Sequence, residues 1–184
     1  MSFYTANELK QLQLGSVGSN VLISRKASLY NPQHIHIGNH VRIDDFCVLS
    51  AGKGGIYIGN YVHIAVYSSF IGAGKIHIQD FANISSRVSV YSSNDDYSGE
   101  YMSNPTVPSH LTNVVHGTVN ISKHCIIGSG TVILPNVNLE QGVVIGALSL
   151  VKTNCLAFNI YGGIPAKCIG GRKRNLLELE KHIF

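Results

Sequence analysis

From Ile121 the chain reads ISKHCI, IGSGTV, ILPNVN, LEQGVV, IGALSL and then Val151. Aliphatic residues occupy 121, 127, 133, 139, 145 and 151, every sixth position without a miss. Four places after each of the first five stands a small or β-branched residue: Cys125, Thr131, Val137, Val143 and Ser149. A period of six is neither the 3.6 of an amphipathic helix nor the 2 of an alternating strand. It fits a short strand followed by a tight corner, repeated along each side of a prism. Three hexads then make one coil of 18 residues, the aliphatic residues fill a continuous core, and the small residues sit beneath the corners.

The same register appears upstream as IGNHVR, IDDFCV and Leu49 from Ile37, and as IGNYVH, IAVYSS and Phe70 from Ile58. It recurs as IQDFAN, ISSRVS and Val90 from Ile78, with a shorter trace, ISRKAS and Leu29, from Ile23. The stretches AGKGG and GAGK absorb two or three extra residues per coil. The expected organisation is one all-β domain over 1–184: a helical segment at 1–19, the β-helix at 20–170 with a loop at 91–120, and a C-terminal helix at 171–184. Thr5 is the expected N-cap of the first helix, with Glu8 completing a capping box.

Composition narrows the setting. No stretch approaches 18 uninterrupted apolar residues, so no membrane span is expected. The N-terminus lacks the basic start and apolar run of a secretory signal. The four cysteines form no CxxC pair, and Cys47 and Cys125 fall on core slots, which points to a reduced, cytoplasmic setting. Five of the fourteen basic residues lie in the last eighteen positions: Lys167, Arg172, Lys173, Arg174 and Lys181. Such a cluster suits a polyphosphate or a solvated terminal helix. No aromatic residues interleave it as single-stranded nucleic acid would need, so no nucleic acid is expected.

Over residues 20–170 the repeat resembles that of the hexapeptide-repeat acyltransferases, whose fold is a left-handed parallel β-helix. The resemblance, not the period, implies the handedness, and it also implies a homotrimer with active sites in the clefts between prisms. IYGGIPAKCI at 160–169 matches the family signature GxPAKxI, where the pantetheine arm of coenzyme A leaves the prism. The implied donor is acetyl-CoA or another acyl-CoA, with no metal expected. Gly163 and Pro165 shape that exit, Lys167 meets the phosphates, and Arg172 and Lys173 reach the nucleotide's extra phosphate. Ser129 and Ala147 match positions whose backbone lines the thiol tunnel. Ile126 stands where relatives often carry a tryptophan.

Between Val90 and Ile121 the hexads stop, and YSSNDDYSGEY, at 91–101, holds Asp95, Asp96 and Glu100, three of only ten acidic residues. A long non-repeat segment in a committed repeat is more often functional than accidental. Pro105 and Pro108 favour an extended excursion. In the family's sugar acetyltransferases a loop here carries the catalytic histidine, and that position falls on Asp95 or Asn94. Acylating a hydroxyl needs a general base. A deprotonated amine already has its lone pair, and a carboxylate can orient an ammonium. The resemblance is therefore closest to the N-acyltransferases of nucleotide-linked deoxyamino sugars that supply bacterial surface polysaccharide such as lipopolysaccharide O-antigen.

Asp95 is the expected contact to the acceptor nitrogen. Glu100 or Asp96 assists, Asn94 shapes the turn, and Tyr97, Ser85 and Ser86 contact the sugar acceptor. His63 is a reserve base. Two other readings stay open: O-acetylation of a sugar, and a non-catalytic or metal-binding protein of the γ-carbonic-anhydrase type. The metal reading would draw on His34, His36 and His40, which more simply face outward along a strand.

Overall fold

The computed structural model describes residues 2–183. The hexads build a three-sided prism of parallel strands. The first face stacks Ser16–Val17, Ile35–Ile37, Ile56–Ile58, Ile76–Ile78, Val119–Ile121 and Asn138–Leu139. The second stacks Leu22–Ile23, Arg42–Ile43, His63–Ile64, Asn83–Ile84, Ile126–Ile127 and Val144–Ile145, and continues into Asn159–Gly162. The third runs from Ser28–Tyr30 through Val48–Ala51, Ser69–Gly72, Ser89–Tyr91 and Val132–Ile133 to Leu150–Val151. Like stacks on like: Ile43 pairs with Ile64, Ile64 with Ile84, and Ile84 with Ile127. All four are fully buried.

The corners explain the rest of the hexad. The small residue at the fifth place is buried and satisfies a corner carbonyl: the Ser68 hydroxyl donates to Ser85 O (3.0 Å), Thr131 to Gly146 O (3.1 Å) and Ser149 to Gly146 O (2.7 Å). Cys47 and Cys125 fill the same slot as free thiols, and burial pushes Cys125 up to about 12. The residue before the slot takes a left-handed conformation, as at His40, Tyr61, Phe81 and His124 (φ 56°, 56°, 60° and 63°). That conformation costs a non-glycine residue about 1 kcal/mol. Stacking offsets it, because these four rings form one column with centroids 4.6, 5.1 and 5.0 Å apart. At the third place a side-chain ladder holds the coils in register. Asn39 N–H donates to Asn60 Oδ1 (2.8 Å) and Asn60 N–H to Asp80 Oδ1 (2.7 Å).

Every connection between the first and second faces, and between the second and third, has four residues, as in 38–41 and 44–47. All variation in coil length falls at the third corner. There the loops 52–55 and 73–75 nest on each other, with Gly54 N–H bonded to Ala73 O (2.9 Å). There too the long excursion departs: Ser93–Asn94 pairs antiparallel with Val115–His116, and the prism resumes with Val119–Ile121 on Ile76–Ile78. At the far end Lys167–Gly171 folds back antiparallel on Asn159–Gly162.

The prism begins earlier than residue 20, since Ser16–Val17 already stands on its first face; the helix before it is Ala6–Gln11, with the Thr5–Glu8 capping box formed. The C-terminal helix is confined to Leu176–Glu180, because Lys167–Gly171 continues the second face. Among the described residues no helix is long and apolar enough to cross a membrane.

Two substitutions separate core burial from corner nesting. Ile84→Ala should cost about 2–5 kcal/mol in denaturant unfolding. Gly54→Ala should also destabilise, because its new Cβ would collide with the backbone of Gly74 and Lys75. A neutral Gly54→Ala would mean that the nested loops are not held in register.

Candidate active site

The excursion folds over a cavity of about 430 Å³ at the third corner, lined by Ile71, Ser93, Asn94, Asp95, Pro105 and Val114 among others. Its stem is pinned by one hydroxyl. Ser93 Oγ accepts from Ala73 N–H (2.8 Å) and meets His116 Nδ1 at 2.8 Å. The acidic residues beyond it divide by role. Asp96 is spent on the turn, accepting from the Ser98 hydroxyl (2.7 Å) and amide (3.4 Å). Asn94 braces the same turn, its Nδ2 donating to Asp95 O (2.8 Å) and its Oδ1 accepting from Tyr97 (3.3 Å). Asp95 is exposed, lines the cavity and has no side-chain hydrogen bond among the described residues. Glu100 and Tyr97 are exposed and do not line that cavity.

A second cavity, of about 510 Å³, lies at the corner between the second and third faces, with Tyr67, Ser86, Arg87, Ser129, Ala147 and Leu148 in its wall. Ser86 and Ser129 occupy successive coils with their hydroxyls 3.3 Å apart. Leu148 N–H donates to Ser129 O (2.8 Å), and above it Gly163 N–H donates to Ser149 Oγ (3.2 Å). Ser86, Ser129, Ala147 and Gly163 are therefore successive rungs on one corner. Ser85 is half-buried, its N–H bound to Ile127 O (2.9 Å) and its carbonyl to Ser68. Pro165, Lys167 and Lys173 are exposed at the top. Arg172 instead turns to the stacked-ring corner, where Nη1 donates to His124 O (2.6 Å) and Gly142 O (3.1 Å); burial lowers its pKa.

His63 lines neither of these two cavities. On the second face its Nε2 meets Asp44 Oδ2 at 3.0 Å, while Arg42 Nε donates to Asp44 Oδ1 at 2.7 Å. Burial pushes the Asp44 carboxyl up, but the hydrogen bonds from His63 and Arg42 more than offset it and hold the group below its usual range. His36 stacks on Tyr57 (4.7 Å) and His40 on Tyr61, so these two histidines serve the ladders of the prism. Among the described residues no three His, Cys, Asp or Glu side chains are grouped so as to hold a metal.

The two cavities flank the third face, and no residue lines both. Sequence reasoning missed His116 and Arg87. His116 meets Ser93 only through an antiparallel pairing across the non-repeat segment, which no periodicity marks.

No protein-family model matches the chain. A dTDP-4-amino-4,6-dideoxy-D-glucose acyltransferase of Escherichia coli is 61% identical over 180 residues, spanning 98% of this chain and 94% of the relative. The N-acyltransferase AntD of Bacillus cereus, solved with dTDP and 3-hydroxybutyryl-CoA, superposes with a TM-score of 0.95 at 49% identity, over 99% of this chain and 96% of its own. AntD has also been solved with dTDP-4-amino-4,6-dideoxyglucose and coenzyme A bound to a serine-to-alanine variant. A hexapeptide-repeat acetyltransferase of Vibrio cholerae shares the fold at 17% identity, with a TM-score of 0.65 over 92% of this chain and 78% of its own. The prism is the left-handed β-helix of these enzymes.

The buried Asp44 predicts an acid limb in stability. Its folded pKa lies below the ordinary 3.8, so its contribution is present above that pH and is lost as pH falls through the folded value. Denaturation midpoints of Asp44→Asn should therefore lie below wild type at neutral pH and converge with it in acid. Parallel curves from pH 7 to pH 2.5 would show that the carboxylate carries no such contribution.

Proposed function

The chain belongs to the family of dTDP-4-amino-4,6-dideoxy-D-glucose acyltransferases, and we propose that it transfers an acyl group from acyl-CoA to the amine of a dTDP-linked 4-amino-4,6-dideoxy sugar. The observation that carries this reading is the corner column from Gly163 down through Ala147 and Ser129 to Ser86. Parallel strands stack about 4.8 Å apart, so three coils span about 14 Å. A pantetheine arm is about as long as four extended residues, again about 14 Å. With the donor's phosphates at Lys167, its thioester falls at Ser86, inside the lower cavity, the one between the second and third faces.

Asp95 serves the acceptor. Its unpaired carboxylate stabilises the incoming ammonium and then the positive charge that grows on nitrogen at attack. The ammonium first releases one proton to solvent. The free amine nitrogen then bonds to the thioester carbon, the carbon–sulfur bond breaks, and the second proton leaving nitrogen ends on the departing sulfur. Asp95 and Ser86 line different cavities, so the acceptor and donor groups meet between two copies of the chain. A homotrimer with three shared clefts supplies that arrangement. The exposed apolar side chains of the excursion, among them Met102, Leu111 and Val115, suit such a contact. The product would enter surface polysaccharide assembly, such as lipopolysaccharide O-antigen, from the cytoplasm.

A second reading, transfer to a hydroxyl, draws on His116, the imidazole that meets Ser93 in the stem of the excursion.

Thiol release with acetyl- and longer acyl-CoA and a panel of amino-sugar nucleotides tests the activity. Asp95→Asn should lower turnover about 10²-fold or more with little change in thermal stability, since an exposed carboxylate contributes little to folding. Near-normal turnover in Asp95→Asn, with loss in His116→Ala or His63→Ala, would move the chemistry to an imidazole and favour O-acylation. Lys167→Ala should raise KM for acyl-CoA alone. Sedimentation should give a trimer; a fully active monomer would remove the shared cleft.

A further inference from the structure

Five basic side chains of the chain's parallel-coil region are already engaged by carboxylates or carbonyls. Arg25 pairs with Glu8, Lys26 with Asp45, Arg42 with Asp44 and Lys123 with Glu180, while Arg172 is held by two carbonyls. Arg87 is different. Among the described residues its guanidinium makes no hydrogen bond or ion pair, and it rests only on the face of Tyr67, 5.5 Å from the ring centroid. The backbone beneath it is fixed in the left-handed corner conformation (φ 61°), and the side chain stands in the wall of the lower cavity beside Ser86 and Ser129. A planar fork of five donors, steadied by a ring and left unpaired in a cavity wall, is built to take an anion.

We propose that Arg87 anchors the diphosphate of the nucleotide-linked acceptor, an assignment that rests on the acyl-transfer reading above. Length excludes the donor's own phosphates, which belong at Lys167, about 14 Å or three coils higher. At the level of Ser86 two anionic groups remain: the oxyanion that develops on the thioester, and the acceptor's diphosphate. The surroundings favour the second. Away from the donor end, the same corner continues from Arg87 to Tyr67, Phe46 and Lys26, with the two rings stacked at 4.9 Å and Lys26 Nζ 5.2 Å from the Phe46 centroid. Both rings are about half exposed. The column thus offers a cation next to the reacting centre, then apolar surface, then a second cation that Asp45 partly neutralises. An oxyanion needs only the first of these. A nucleoside diphosphate, charged at one end and flat at the other, uses the length of the column.

The test is calorimetric titration of the full-length protein with dTDP alone and, separately, with coenzyme A, followed by steady-state kinetics. Arg87→Gln should weaken dTDP binding by about 10- to 100-fold, the worth of a charge-assisted contact. It should raise KM for the acceptor by a similar factor, leaving coenzyme A affinity and kcat near normal. Arg87→Lys, which keeps the charge and loses the fork, should fall between, and it replaces Arg87→Gln if that variant fails to fold. Unchanged dTDP affinity with a fall in kcat would give Arg87 to the oxyanion and overturn the proposal. Weakened coenzyme A binding, or a wild-type protein that does not bind dTDP, would overturn it as well. Because dTDP binding is read without turnover, its outcome stands apart from whether the amine is acylated.

Discussion

Each coil of this prism is held by the register of the next. Parallel strands of two to four residues are too short to stand alone, and they persist because their backbone groups pair with the coil above and the coil below. That stacking forces identical positions into columns. A column of aliphatic residues becomes the core, a column of left-handed corners becomes a ring stack, and a column of asparagine and aspartate becomes a hydrogen-bonded ladder. The strain of a left-handed Tyr61 or Phe81 would be hard to offset one at a time; in a column each ring stabilises its neighbours.

The same constraint shapes the site. On the proposed reading the donor lies along a single corner, where Ser86, Ser129, Ala147 and Gly163 stand one per coil. On the same reading, the group that meets the acceptor's amine comes instead from the excursion, which leaves the prism through Ser93 and returns through His116, while Arg87 on the repeat meets its diphosphate. Asp95 sits two residues beyond Ser93, close enough to the rigid scaffold to be positioned, and among the described residues its side chain is unpaired.

Much of this was legible in the sequence. The hexads announce the prism, the core columns and the interruption. The GxPAKxI signature marks the end of the prism, and the acidic stretch marks the excursion. What could not be read is the pairing of side chains between coils. Rungs on the first face are 20 residues apart from Ser16 to His36, 21 from His36 to Tyr57, 43 from His77 to Asn120 and 18 from Asn120 to Asn138. Such uneven spacing hides the contact of Ser93 with His116 and that of Asp44 with His63. It also hides that Arg172, basic and near the signature, spends its guanidinium on corner carbonyls, whereas Arg87, inconspicuous within ISSRVS, is left unpaired.

The unequal treatment of the three corners has an evolutionary corollary. Two corners hold four residues in every coil. The third has accepted short glycine loops and an excursion of more than twenty residues while the strands on either side still pair in register. Variation in such a scaffold is channelled to one edge. On the proposed reading, a lineage can exchange the segment that meets the acceptor's amine without disturbing the rungs along the donor, so new acceptor preferences can arise by grafting at a single seam.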